Sequence, residues 1–418
     1  MKYLILVTVV AVSGLSHAGW ESEICLADGP GNSRLAPTGC AIATGTGTNA
    51  KYVHLAWLEA NSYDPFRYRR SKDYGATWED VEYFDYRISD QPSIAADGKY
   101  VHIVYLKGKD NQYSLCYLRS KNNGVNWENE VILWSETLDY HAFAPYICAH
   151  DGCLHITWGE YKSHRDSDIY YIRSTDNGAT WGQFVTILGG PARSGPAKVA
   201  AYGDDVHLVS VEYVDPYYEV IYKHSSDKGA TWEPEEIIAE SERRMGSPDI
   251  SCSGTYVHVA LSYFNRIAYL RSTNSGDSWD GLCILLSWHL VEFKARFVRV
   301  CASGDVVHFL WYYDERVFEE DTYIRYEDFY YTRSIDNGIL WEPTLRITSP
   351  LGGRTLRYPS IHSAGSILHT VWIDNRNGNW DVYYRRNNEA SVLSGIWYYL
   401  RYNPRKRPSI FRRYLPFK

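Results

Sequence analysis

The sequence contains no Cys-x-x-Cys pair and no His-Glu-x-x-His, so it lacks the common metal-site spacings. No amphipathic helical pattern separates its short apolar runs, which leaves an all-β chain. Past the first eighteen residues, no segment is long and apolar enough to span a bilayer. Residues 401–418 carry seven basic side chains and no acid; against a net charge of −7, the rest of the chain is therefore at −14. An acidic body argues against general nucleic-acid binding. Nothing in these patterns implies a metal or another cofactor.

What the sequence does hold is repetition. The phrase Ser-x-Asp/Asn-x-Gly-x-x-Trp starts at Ser71, Ser120, Ser174, Ser225, Ser272 and Ser334 and ends at Trp78, Trp127, Trp181, Trp232, Trp279 and Trp341. It reads as a turn. The short Asp or Asn side chain accepts hydrogen bonds from nearby backbone N–H groups, the glycine takes positive φ, and the tryptophan begins a new strand. A Val-His or Leu-His strand precedes each turn, and a seventh such strand follows at Leu368-His369. Tyrosine stands three residues ahead of each Ser, and Tyr384 occupies that place in the seventh repeat, where the turn phrase is lost. Each repeat holds four short strands, enough for one antiparallel blade.

A repeat of roughly fifty residues marks an array of supersecondary units. We expect a single β-propeller of four-stranded blades, seven in number, with six as the alternative. The expected organisation is a signal peptide over 1–18, the propeller over 19–392 and a basic, aromatic tail over 393–418. Lys2, an apolar stretch over 4–12 and Ser16-His17-Ala18 make up the leader, so export to the periplasm or beyond is expected, with no transmembrane segment after cleavage. The strand from Trp20 to Leu26 is expected to complete the last blade, with Gly395 to Leu400 as its rival. In an exported chain Cys148 with Cys153 is the best local disulfide candidate, and Cys25 with Cys40 the next.

The six turns resemble Asp boxes, the hallmark of the sialidase superfamily of β-propellers. The resemblance covers nearly the whole chain after the leader. It implies that the aspartates of the phrase are turn residues and that any active site lies across the opposite face of the ring. Functional residues are then expected in the loops leading into each blade and between its second and third strands. The lead-in loops are rich in arginine: Arg34, Arg87, Arg193, Arg243 and Arg357 are candidates to bind an anionic ligand, with Glu160 and Glu212 nearby.

Sialidases that this chain resembles use three arginines on the substrate carboxylate, a tyrosine nucleophile and an acid/base aspartate. The resemblance would place the last two at Tyr358 and Asp64. It departs in three respects. The first arginine sits in Arg34-Leu35-Ala36-Pro37, one residue longer than Arg-Ile-Pro. The second and third arginines do not appear, and those enzymes close with six blades. We therefore expect a secreted sialidase-like propeller that binds an anionic glycan or other surface polymer. The alternatives are an active sialidase-type glycoside hydrolase and a protein-assembly scaffold with a protein partner.

Overall fold

The computed structural model describes residues 5–6, 19–27, 32–34, 41–60, 66–84, 88–90, 92–109, 111–137, 141–163, 166–190, 192–246, 248–286, 293–319, 322–349 and 355–388. The rival closing strand 395–400, Cys40, Asp64 and Arg87 lie outside these. The described chain is all-β, its single helical element being a 3-10 turn at Gly47–Asn49. Among the described residues no helix is long and apolar enough to cross a membrane. The strands pair into four-stranded antiparallel units over 41–84, 92–137, 141–188, 198–241, 248–286 and 293–347, called units 1 to 6 below. A further unit, unit 7, joins 355–388 to the N-terminal strand Ile24–Ala27.

The first strands of successive units touch in a cycle, and Leu356–Ala364 of unit 7 returns to Ile42–Thr44 of unit 1. This is a propeller. Closure comes from the N-terminus, as expected: Ile24 pairs with Tyr384 and Trp20 bridges Asn387. Val371, Val382 and Tyr384 of unit 7 then share one buried cluster with Leu26 and with Val53, Leu55 and Trp57 of unit 1. One strand of the expected leader is also described, Ile5–Leu6, which pairs in parallel with Cys283 and Ile284 on the outer edge of unit 5.

The repeated residues form the joints between units. In every unit the strand histidine meets the tyrosine of the same unit through Nδ1 at 2.7 Å, from His54 with Tyr68 to His369 with Tyr384. The tyrosine hydroxyl then reaches under the turn of the next unit. A Cβ on Gly178 would fall 2.0 Å from the Tyr117 hydroxyl, and one on Gly75 would collide with Tyr384 across the closure. Glycine in the phrase therefore meets two demands, a φ of 74° at Gly178 and room for a neighbour's phenol. Each tyrosine also packs edge-on against the turn tryptophan of the next unit, as Tyr117 does on Trp181 at 4.8 Å. Unit 7 has no such phrase, and Trp20 takes the vacant place, 5.2 Å from Tyr331 at 81°.

The turn aspartates are consumed locally. Asp176 accepts from the Thr180 amide and hydroxyl and from the Ser174 hydroxyl, which hold its carboxyl down at about 2. One expectation fails. Cys153 is a free thiol, so no bridge joins it to Cys148. In the hairpin, Cys148 lies opposite His155 and Cys153 opposite His150. The two cysteines are diagonal neighbours, at a spacing of roughly 7–8 Å that exceeds disulfide reach. The Cys25–Cys40 pairing falls outside the described residues.

Candidate functional site

Antiparallel order puts the Asp/Asn-Gly turns and the turns between first and second strands on one face of the ring. The lead-in segments and the ends of second strands lie on the other. Three of the five candidate arginines are described there with their side chains, and they share one arrangement. Arg193, leading into unit 4, lies over the Tyr161 ring of unit 3 at 5.6 Å. Arg243, leading into unit 5, lies over Phe264 at 5.3 Å, and Arg357 of unit 7 over Trp380 at 4.9 Å. All three are exposed, and none pairs with a carboxylate among the described residues. Other ring-stacked arginines of the same face differ. Arg67, over Tyr83 at 4.2 Å, is held by Glu59 at 2.8 Å. Arg376, over Tyr383 at 4.0 Å, is clamped by Asp374 and by Glu23 of the closing segment.

Among the described residues, no contact joins all three of these arginines. Arg193 and Arg243 belong to adjacent units and Arg357 to unit 7, with no contact joining Arg357 to the other two. Arg34 is described through its backbone, which pairs with Leu58 in unit 1. Nor do the candidate acids neutralise the arginines. Glu160 is buried and takes Lys162 at 2.6 Å on one oxygen, while its other oxygen has no partner among the described residues. Glu212 accepts from the Ser194 hydroxyl at 2.5 Å, and burial pushes its carboxyl above the usual range. Tyr358 sits at φ 54° on a bulge, against the Phe297 ring at 5.6 Å. Its hydroxyl has no partner among the described residues, so the tyrosine–carboxylate pair of a sialidase nucleophile is not formed there.

Residues that sequence reasoning missed complete this face. Tyr217 is 40% exposed, as is Tyr213 close by, and Phe264 is 58% exposed. Tyr217 precedes Tyr218 and Phe264 follows Tyr263, at the tips between second and third strands and outside any repeated phrase. His141 stacks edge-on with Tyr161 at 5.1 Å, beside Arg193. On the axis, a cavity of about 210 Å³ lies among the first strands of units 3 to 7. There the buried Lys198 lies over the Tyr146 ring at 4.6 Å and 3.3 Å from Asp249, with Arg299 alongside. A sequence signal for these existed. The residue five before the first-turn glycine is Ser93, Lys198, Asp249, Arg299 and Ser360 in units 2 and 4 to 7, a polar residue at one repeated place of the first strand. Among the described residues, no cluster of His, Cys, Asp and Glu is placed to hold a metal.

No protein-family model and no curated protein matches the chain. Solved structures do. A polysaccharide lyase, the PL25 ulvan lyase bound to -[GlcA(1-4)Rha3S]-, is similar over 87% of this chain and 95% of its own, at 13% identity and a TM-score of 0.57. The polysaccharide lyase Uly1 is similar over 85% of this chain and 91% of its own, at 12% identity and a TM-score of 0.55. A Trypanosoma rangeli sialidase in complex with 2,3-difluorosialic acid matches over 71% of this chain and 53% of its own, at 12% identity and a TM-score of 0.46. The likeness to the two lyases is one of fold.

Proposed function

We propose that the chain is an exported propeller whose arginine-bearing face binds an acidic glycan. One observation carries this reading: Arg193 and Arg243, leading into adjacent units, are exposed, laid on aromatic rings and not paired with carboxylates among the described residues. A guanidinium fixed on a ring keeps its in-plane donors free for a carboxylate or sulfate, with little further loss of side-chain freedom on binding. The exposed Tyr213, Tyr217 and Phe264 beside Arg193 and Arg243 add flat amphipathic surface of the kind that suits a sugar ring. Affinity for a uronate or sulfated glycan should therefore fall with added salt and with Arg193→Glu, at unchanged melting temperature. Equal affinity for neutral and acidic glycans, indifferent to Arg193→Glu, rejects the reading. Co-purification with a stoichiometric protein and no sugar affinity favours the scaffold alternative.

A second reading, cleavage at the same place, is favoured by the cluster of His141, Tyr161 and Arg193. A guanidinium on a uronate carboxylate acidifies the adjacent C–H, an imidazole accepts that proton, and a phenol protonates the departing glycosidic oxygen. Such a step leaves an unsaturated sugar that absorbs in the ultraviolet. Product formed from an acidic polysaccharide and lost in His141→Ala supports cleavage, whereas unchanged binding with no product leaves binding alone. A sialidase-type hydrolase acting through Asp64 and Tyr358 has less support. Release of a sialoside's leaving group, abolished by Tyr358→Phe, is the result that reinstates it.

A further inference from the structure

We infer that the site takes an extended acidic glycan chain, held internally along units 3 to 5, rather than a single terminal sugar. The inference rests on the acidic-glycan reading above and adds the form of the ligand. Its basis is a row of contacts that crosses the face without interruption. Arg193 lies over Tyr161 of unit 3 and is the cross-strand partner of Tyr213. Tyr213 is in turn opposite Tyr218, with ring centroids 4.8 Å apart, and Tyr218 is opposite Ser241 on the outer strand of unit 4. Ser241 ties the row to unit 5: its hydroxyl accepts from the Arg243 amide at 2.9 Å and donates to the Tyr263 hydroxyl at 3.3 Å. Arg243 then covers Phe264.

The row thus has a cation at each end and aromatic rings between. Arg193, Tyr213, Tyr218 and Ser241 stand on four successive strands, so by ordinary strand spacing roughly 14 Å separates the first from the last. With each guanidinium laid on a ring of a different unit, Tyr161 of unit 3 and Phe264 of unit 5, a ligand that meets both must span unit 4, which several linked sugars do better than one pyranose. The axial cavity is a poor alternative for the acidic group of a terminal sugar, because Lys198 there already faces Asp249. Two charge contacts joined by stacking surface also act together only on one chain. The second contact then forms at high effective concentration, and affinity grows with ligand length.

The test is titration calorimetry of the whole protein with oligogalacturonates and heparin-derived oligosaccharides, each as di-, tetra- and octasaccharides, against malto-oligosaccharides of equal length. For at least one acidic series we expect affinity to rise about 10–100-fold from disaccharide to octasaccharide. Arg193→Gln and Arg243→Gln should each remove most of that gain while melting at the parental temperature, and Arg357→Gln, off the row, should leave it. Disaccharide affinity equal to octasaccharide affinity overturns the inference but leaves acidic-glycan binding standing. So does a length gain untouched by both variants. Absence of binding by both acidic series overturns the two together.

Discussion

On one face of the ring every unit offers its neighbour the same equipment: a buried histidine, the tyrosine it bonds, and an edge-on tryptophan. On the other face the units differ, with a paired Arg67 in unit 1, unpaired arginines in units 4 and 5 and a clamped Arg376 in unit 7. The difference separates two kinds of selection on one scaffold. A side chain needed at each joint recurs with the repeat, while a side chain that meets a ligand is needed once. In this ring the breaks in periodicity carry more functional information than the periodicity itself.

The largest effect that tests this contrast is acidification. Burial lowers the pKa of each of the seven strand histidines, from His54 to His369, to about 3. In the unfolded chain they titrate near 6.5. The folded state refuses protons that the unfolded state takes up, so stability is intact above pH 6.5 and is lost as pH falls from there toward 3. Each tenfold difference in proton affinity is about 1.4 kcal/mol, so a few such histidines suffice to offset a typical domain's whole stability of about 5–15 kcal/mol. Urea midpoints measured across this range should collapse steeply. A flat profile would mean that the histidines are not buried as neutral groups.

Next in size is the joint itself. Trp181→Ala should destabilise by about 3 kcal/mol, the low end for a truncated aromatic because the ring is only part-buried. Acidic-glycan affinity of the folded fraction should stay within about twofold. A variant with normal melting temperature and lost binding would reverse the roles of the two faces. Arg193→Glu should do the opposite: about tenfold or more weaker binding, ~1.4 kcal/mol, with melting within a degree or so of the parent. Smallest is Arg357→Gln, expected to change octasaccharide affinity by less than about twofold. A loss as large as that of Arg193→Glu would move the site toward unit 7 and blur the contrast.

The regular face was legible in advance because its physics is local and repeated. A turn needs an acceptor at Asp176, a left-handed glycine at Gly178 and a ring at Trp181, and the same needs recur in every copy. The role of Gly178 was only half legible, since the Tyr117 hydroxyl beneath it belongs to another unit. The candidate site was harder. Arg193, Arg243 and Arg357 were found as charges ahead of first strands, but whether a charge is free depends on distant partners. Arg376 has one local partner, Asp374, but its second, Glu23, comes from the far end of the chain and could not be read from the spacing. Tyr217 and Phe264 went unnoticed because aromatic residues at these turns follow no period. The Cys148–Cys153 bridge was misjudged because spacing along the chain does not report register across a hairpin.

Trp20 stands where a seventh turn tryptophan would be, and the strand after it pairs with the last strand of the ring. The closing strand is therefore made before units 1 to 6, and its partner in unit 7 after all of them. Until then the open edges of units 1 and 7 and the Tyr331 ring remain without cover, and the contacts that close the circle have nearly the largest sequence separation the chain allows. Long-range pairing of this kind is slow, and unpaired edges invite association between chains. The decisive step in assembly of this ring thus waits until unit 7 has been made, and its yield depends on keeping two distant edges apart from other molecules until they find each other.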